Sequence, residues 1–234
     1  MKARVRIATA WTPDRSEMVL YQHDRDFSIR INGQDLMHSR QHESERELAR
    51  LGCAHLIGRK APSILIGGLG MGYTLRQALD MLSPHAQVVV GELLGAVVEW
   101  NREFLGKLNG QPLADERVDV KTGDVVKLIS RSKSRFDAIL LDIDNGPDAM
   151  TDSGNRRLYG REGIRACRRA LREQGCLAVW SAEMSCSFHV RRFRVSAYKG
   201  SKSQSRFVWV ASEDKIILPH GGGESRLPVK NDSI

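Results

Sequence analysis

The sequence predicts an α/β fold in which helices flank an open, mostly parallel sheet. Three observations predict it. Strand-like and helix-like segments alternate from Pro62 onward. The strand runs ILI, VVV and AILL are apolar on both faces, as a central parallel sheet requires. A glycine-rich turn also follows the first of these strands and opens a helix.

The first 47 residues are predicted to form a small antiparallel lead-in. MVLYQ, FSIRI and QDLMHS have strand character, and HDRD and NG are typical of turns between them. Helical spacing follows in ESERELARLGCAHL, where Ser44 and Glu47 resemble a capping box.

The alternating region is predicted to run from residue 48 to residue 212 as one Rossmann-like domain. We predict a tail from residue 213 that is partly disordered, because GGGES and KNDSI lack apolar periodicity. The strand candidates are SILIGG, AQVVVGE, RVDVKTGD, FDAILLDID and GCLAVWSA, with VSAYKG and SRFVWVAS as a final antiparallel pair. The helix candidates are TLRQALDML, LGAVVEWNREFLGKL, VVKLIS and REGIRACRRALRE.

Composition excludes several classes of protein. No apolar run approaches the roughly 18–20 residues that span a bilayer. Four cysteines without a CxxC pair predict reduced thiols rather than a disulfide framework, and we expect a cytoplasmic protein without a secretory signal. His38 and His42 lack an evident third ligand, so no metal site is expected.

The net charge of +8 is unevenly distributed. Between Arg156 and Arg206 the chain has thirteen Lys and Arg residues against three Glu. This excess fits either a surface for RNA, DNA or another anion, or the solvated outer faces of helices, and we favour the second interpretation.

The segment ILIGGLGMGYTLR (64–76) predicts a ligand-binding turn. Gly68, Gly70 and Gly72 follow a strand and precede a helix, where a backbone without side chains can approach a ligand closely. The dinucleotide pattern GxGxxG requires a third glycine where this chain has Tyr73. A nucleoside without a pyrophosphate, such as S-adenosylmethionine, therefore fits better.

Two acidic residues at the ends of the next strands support a nucleoside site. Glu92 follows Gly72 by twenty residues, at a position where a carboxylate accepts hydrogen bonds from ribose hydroxyls. Asp124 ends the third strand, where it can meet an adenine amino group or cap the helix VVKLIS, and both roles can hold.

The segment FDAILLDIDNGPDAM (136–150) predicts the catalytic carboxylates. Asp142 and Asp144 lie two residues apart at the end of a buried strand and should point the same way. Close like charges resist joint ionisation, so one of the two pKa values should rise, which suits a group that removes a proton from an acceptor. The alternative is a loop-capping aspartate with a solvated neighbour.

From about Phe27 to Trp180 the chain resembles the spermidine/spermine synthase family, the aminopropyltransferases with the class I methyltransferase fold. The resemblance is carried by IGGLGMGYTLR, VVVGEL, LNGQPLADERVDVKTGD, FDAILLDID and LYGREGIRACRRALREQGCLAV. It implies a seven-stranded sheet, the glycines beside the sulfur-bearing chain of the cofactor, Glu92 at the ribose, Asp124 at the adenine and Asp142 at the amine. It also implies that dimers or tetramers can form.

The chain departs from the family pattern in three places. The family usually has an aspartate inside the glycine turn, where this chain has Met71 or, under another alignment, Leu69. The loop after Asp142 is longer, and Glu45, Arg46 and Glu47 replace a tyrosine–histidine–glutamate cluster.

We therefore expect a transferase that moves an aminopropyl or methyl group from decarboxylated S-adenosylmethionine or S-adenosylmethionine to a small amine acceptor. One alternative is an S-adenosylmethionine-dependent methyltransferase that acts on RNA or a small molecule. The other is a non-catalytic protein that binds a nucleoside or RNA.

Overall fold

A computed structural model describes residues 4–143, 158, 160–181, 191–195 and 206–211. Asp144, the rest of the loop to residue 157, and the predicted tail lie outside these residues. Within them, no helix is long and apolar enough to span a membrane.

The N-terminal region forms a four-stranded antiparallel sheet in the order β1-β2-β3-β4. Its strands are β1 (Val5–Trp11), β2 (Glu17–His23), β3 (Asp26–Ile31) and β4 (Gln34–His38). The last three coincide with the predicted strands, whereas β1 was not predicted. A register shift between Arg6 and Ala8 breaks the alternation of apolar and polar residues by which a strand is recognised in a sequence.

The second sheet has seven strands in the order β10-β11-β9-β8-β5-β6-β7. The strands are β5 (Ser63–Gly67), β6 (Gln87–Glu92), β7 (Val118–Thr122), β8 (Phe136–Leu141), β9 (Leu171–Ser181), β10 (Arg191–Val195) and β11 (Arg206–Ala211). Strands β5 to β9 pair in parallel, and β11 is antiparallel to both β9 and β10. The predicted Rossmann-like fold with a mostly parallel sheet and a small antiparallel segment is confirmed, although β10 lies N-terminal to most of the predicted VSAYKG strand.

Five α-helices connect these strands in the described residues: α1 (Glu43–Cys53), α2 (Tyr73–Met81), α3 (Gly95–Glu103), α4 (Val125–Ser130) and α5 (Arg161–Ala170). Short 3₁₀ turns cover Ala54–Leu56, Leu105–Leu108 and Pro112–Ala114.

Two local predictions were wrong. Helix α1 begins at Glu43, so Ser44 lies inside it and bonds to Glu45 instead of forming a capping box. Acidic residues in the first turn suit the positive end of the helix, which allows it to start early. Helix α5 ends at Ala170 because Leu171 already pairs with Phe136 in the sheet.

The two faces of the parallel sheet bury separate apolar clusters. One contains Met18 and Ile29 of the N-terminal sheet together with Leu48 of α1 and Trp100 of α3. The other lies under α4 and α5. The N-terminal sheet therefore shares a core with the parallel sheet and closes over its carboxyl edge.

Candidate functional site

A cleft opens where the carboxyl ends of β5, β6, β7 and β8 meet the N-terminal sheet. It encloses about 730 Å³, including the part that is open to solvent. Gly68, Gly70, Glu92, Asp124 and Asp142 all line it. The structure thus brings together five of the seven residues that the sequence analysis singled out.

Gly68 and Gly70 both line the cleft, and each has a positive φ that favours glycine. Gly68 has a φ of 89°, and a Cβ atom at this position would lie 2.1 Å from the carbonyl oxygen of Asp142. Gly70 has a φ of 53°, and a Cβ there would be in ordinary contact with the Sδ and Cε atoms of Met37, at 3.7 and 3.9 Å.

Gly72 is the exception among the predicted glycines, because it does not line the cleft. It is the N-cap residue of α2, with a φ of 82°, and a Cβ there would lie 3.0 Å from Nδ2 of Asn109 and 3.1 Å from Oδ1 of Asn101. The position of Gly72 therefore suits packing of the turn rather than direct contact with a ligand.

Sequence reasoning missed the two asparagines that hold this turn from behind. The side-chain amide of Asn101 donates to the carbonyl of Gly70 at 2.8 Å, and that of Asn109 donates to the carbonyl of Met71 at 2.7 Å. Both side chains are buried. Asn109 belongs to the LNGQP segment that carries the family resemblance, and this was the one available signal.

Glu92 joins two parts of the cleft wall. One carboxylate oxygen accepts a hydrogen bond from the backbone N–H of Leu69, and the other accepts from that of Leu94, each at 2.8 Å. Glu92 is buried, so these bonds fix its orientation. A carboxylate has about four acceptor positions in all, so bonds to a ligand's hydroxyls are compatible with this arrangement.

Asp124 caps α4, as one of the two predicted roles requires. Its side chain accepts from the N–H of Val126 at 2.8 Å. Because the residue also lines the cleft, contact with a ligand remains compatible with the capping role.

Asp142 follows β8 and is held by both its backbone and its side chain. Its N–H donates to the carbonyl of Gly67 at 2.7 Å, and its Oδ2 accepts from the hydroxyl of Thr74 at 2.6 Å. Thr74, also missed by sequence reasoning, is buried at the start of α2 and thereby links the glycine turn to the predicted catalytic carboxylate. Asp144 lies outside the described residues.

The described lining of the cleft is acidic on one side and apolar on the other. It includes three carboxylates and no Lys, Arg or His. The N-terminal sheet contributes Met18, Ile29, Leu36 and Met37 to the opposite wall. Such a lining disfavours a phosphate and suits a cationic nucleoside, although the whole chain is basic.

Both residues that could occupy the place of the family's aspartate in the glycine turn are buried. Leu69 and Met71 have exposures of 2% and 5% and belong to the core. Neither lines the cleft, so the glycine turn supplies no charge to it from its side chains.

The histidines near α1 serve structural contacts. His42 stacks on Tyr73 with ring centroids 4.4 Å apart, and its Nδ1 lies 2.9 Å from the carbonyl of Ser39. The described part of the chain contains no group of three or more His, Cys, Asp or Glu side chains placed to hold a metal ion.

Comparisons with known proteins agree with this geometry. The family model described as "Spermine/spermidine synthase domain" matches residues 47–210. The polyamine aminopropyltransferase of Saccharolobus solfataricus is 30% identical over 128 residues, which cover 55% of this chain and 41% of that protein. The polyamine aminopropyltransferase of Nitrosomonas europaea is 31% identical over 126 residues, which cover 52% of this chain and 35% of that protein. The match thus spans less than half the length of these curated relatives.

Solved structures share the fold at low identity. The spermidine synthase of Thermotoga maritima aligns with a TM-score of 0.69 and 18% identity over 89% of this chain and 73% of that one. A spermidine synthase in complex with the transition-state analogue AdoDATO aligns with a TM-score of 0.71 and 18% identity, over 89% of this chain and 74% of that one. With the family model covering more than half of its residues, this chain belongs to the spermine/spermidine synthase family.

Proposed function

We propose that this protein transfers an aminopropyl group from decarboxylated S-adenosylmethionine to a small amine. The observation that carries the proposal is the acidic cleft at the carboxyl ends of the strands, with Asp142 held at its edge by Thr74. The names of the curated relatives support the same activity.

Some of the cleft residues would bind the nucleoside, and others would contact the acceptor. Glu92 would accept hydrogen bonds from the ribose, Asp124 would meet the adenine, and the backbone at Gly68 and Gly70 would pass beside the sulfonium. Asp142, together with Asp144, would face the acceptor. Carboxylates favour a sulfonium and a protonated amine, since both are cations.

The reaction is a displacement at carbon. The protonated acceptor amine first gives a proton to Asp142, the general base, which frees the lone pair of its nitrogen. That lone pair attacks the aminopropyl methylene carbon bonded to the sulfonium, the C–S bond breaks, and the sulfur leaves as a neutral thioether. The new secondary ammonium keeps the positive charge. Alignment and proton removal are the two contributions expected from the protein.

Methyl transfer from S-adenosylmethionine is the second candidate, and one observation favours it. The wall formed by the N-terminal sheet is apolar, and Met71 and Leu69 are buried where the family usually has an aspartate for the aminopropyl amine. The ammonium of the decarboxylated cofactor would lack a counter-charge against that wall, whereas the ammonium of intact S-adenosylmethionine has the cofactor's own carboxylate beside it.

The test is calorimetric titration with decarboxylated and intact S-adenosylmethionine, each with and without putrescine or spermidine, followed by mass analysis of the products. Aminopropyl transfer predicts tighter binding of the decarboxylated form and an acceptor enlarged by one aminopropyl group. A methylated acceptor would establish the second candidate instead. Binding of neither form would overturn both.

Asp142→Asn tests the role of the carboxylate. We expect turnover to fall by about 10² to 10⁴, the usual contribution of a general base, with nucleoside binding retained. Asp119→Asn is the matched control, since Asp119 is exposed on β7 and pairs with Lys121 outside the cleft lining. An unchanged rate in Asp142→Asn would contradict the assignment and favour a non-catalytic nucleoside-binding protein.

The cysteines are consistent with the expected reducing compartment. Cys53, Cys167 and Cys176 are free and buried, and burial raises the pKa of Cys167 and of Cys176 to about 12. Thiols with such pKa values stay protonated and unreactive near neutral pH. A cytoplasmic location is therefore part of the proposal.

A further inference from the structure

Two segments that flank β8 each carry an excess of positive charge. Residues 127–135, which include most of α4 and the loop after it, have four cations and no acidic residue. Residues 161–173, which include α5, have five arginines against two glutamates. Together these two segments carry a net charge of +7.

The fold joins the two segments into one surface. Helix α4 packs against α5. The N–H of Ser134 donates to the carbonyl of Arg169, and that of Arg135 donates to the carbonyl of Ala170, both at 2.8 Å. We call this the basic surface and define it by its exposed cations: Lys127, Arg131, Lys133, Arg135, Arg165, Arg168, Arg169 and Arg172.

Local acidic residues neutralise only part of this surface. Arg165 pairs with Glu162, and Arg172 pairs with Asp137, which also binds Arg59. Glu173 is the other acidic residue nearby. In the described part of the chain, no ion pair involves Lys127, Arg131, Lys133, Arg135 or Arg169. Many arginines elsewhere, including Arg6, Arg30, Arg40, Arg76 and Arg117, do pair with carboxylates.

The chemistry of the surface selects among anionic partners. The large hydrophobic side chains that are exposed in the described residues, Val5, Trp11, Ile57 and Leu93, all lie outside it. A surface without apolar anchors lacks the buried centre of a protein–protein interface and the inserted side chains of a membrane-binding face. Clustered guanidinium groups, in contrast, match phosphate geometry with two parallel hydrogen bonds.

We propose that the basic surface binds the phosphate backbone of RNA without sequence preference. Arg131, Lys133, Arg135 and Arg169 lie at the amino ends of β8 and β9 and make no ion pair with any described residue, and Lys127 extends the surface along α4. The site is separate from the cleft: β8 has six residues, so its two ends lie roughly 20 Å apart. Binding at one edge therefore leaves the other open.

The experiment measures binding of a fluorescein-labelled single-stranded RNA of mixed sequence to the full chain by anisotropy, over a series of KCl concentrations. With about four phosphates contacted, log K should fall against log salt with a slope of about −3. The variant Arg131→Gln, Lys133→Gln, Arg135→Gln, Arg169→Gln should lose at least tenfold in affinity at low salt and most of that slope.

A matched variant removes the same charge elsewhere. Arg15→Gln, Arg25→Gln, Arg102→Gln, Lys107→Gln changes four exposed cations outside the basic surface and should keep both the affinity and the slope. If both variants lost the same RNA affinity, binding would depend on the net charge of the protein and not on the basic surface, and the proposal would be overturned. No binding at low salt, or stronger competition by polyglutamate than by unlabelled RNA, would overturn it as well.

The result is independent of the transferase proposal. Both variants leave the cleft residues unchanged, so nucleoside binding by calorimetry should stay at the wild-type level. Loss of RNA binding with the nucleoside site intact supports the assignment, and loss of both at once contradicts a separate surface.

Discussion

At Gly68 the backbone of the glycine turn passes close to the end of β8. A Cβ at this residue would overlap the carbonyl oxygen of Asp142, and the φ of 89° is one that other residues rarely adopt. The same glycine thus allows the turn to reach the cleft and sets the distance between the turn and Asp142.

Gly68→Ala should lower the free energy of unfolding through both strain and overlap. Gly58→Ala is the control, because Gly58 has a φ of 82° but nothing within 4 Å of its Cβ position. We expect the Gly68 variant to lose about 1–3 kcal/mol more than the control, the usual cost of overpacking. Urea unfolding of both proteins measures the difference, and equal losses would show that the overlap is relieved at no cost.

The sequence identified the residues at strand ends better than the residues that hold them. Glu92 and Asp142 could be predicted because a carboxylate directly after an apolar strand has few structural reasons to be there. Asn101 and Thr74 could not, because their bonds to Gly70 and Asp142 form only after α3 and α2 have packed on the sheet.

At the scale of elements, Asn101 and Asn109 attach the glycine turn to the segment of chain that follows β6. The amide of Asn109 donates to the carbonyl of Met71 and stabilises the turn in the conformation that lines the cleft. It therefore acts on a ligand through the turn, as a positioning residue.

Asn109→Asp keeps the shape of the side chain but replaces the donor with a charged acceptor facing the Met71 carbonyl. Nucleoside affinity should fall by tenfold or more, in line with the ~1–3 kcal/mol cost of an unpaired buried group. The negative charge added by Asn109→Asp would by itself attract a cationic nucleoside and raise its affinity, so a fall in affinity cannot come from charge alone. Gln87→Glu, an exposed amide-to-acid change at the start of β6, is the control in the same calorimetric titration. Unchanged affinity in Asn109→Asp would contradict the positioning role.

Most elements could be predicted because parallel strands buried on both faces are apolar throughout. The failures at β1 and at the end of α5 have a common physical cause. The bulge at Arg6 and Ala8 and the pairing of Leu171 with Phe136 depend on neighbouring strands, and local periodicity does not record them.

At the scale of the whole molecule, a buried carboxylate fastens the amino edge of the sheet. Asp137 accepts from the N–H of Ser63 at 2.7 Å and from Arg172 at 2.8 Å, and its carbonyl accepts from Nε2 of His55 at 3.1 Å. The starts of β5, β8 and β9 and the end of α1 are thus tied at one place.

His55 makes the global stability depend on pH. Burial lowers the pKa of its imidazole below the ordinary value of 6.5, so the folded state favours the neutral ring. Its contribution to stability is complete above about pH 6.5 and is lost as the pH falls toward the depressed pKa. The free energy of unfolding should therefore decrease between pH 7.5 and pH 5.

Denaturation of wild type and His55→Gln across that pH range checks this expectation. The variant should lose less stability on acidification, although some dependence will persist because burial also lowers the pKa of His38. Parallel curves for the two proteins would show that His55 protonates equally well in the folded and unfolded chain.

The separation of charge along β8 has a further consequence. Within the described residues, carboxylates line the cleft at the carboxyl end of β8 and the basic surface extends to its amino end, so these two groups of charge form an electric dipole directed roughly along the strands. Near any extended polyanion, this dipole would turn the molecule so that the basic edge approaches first. The cleft would then face outward into solution, on the side from which small cations arrive.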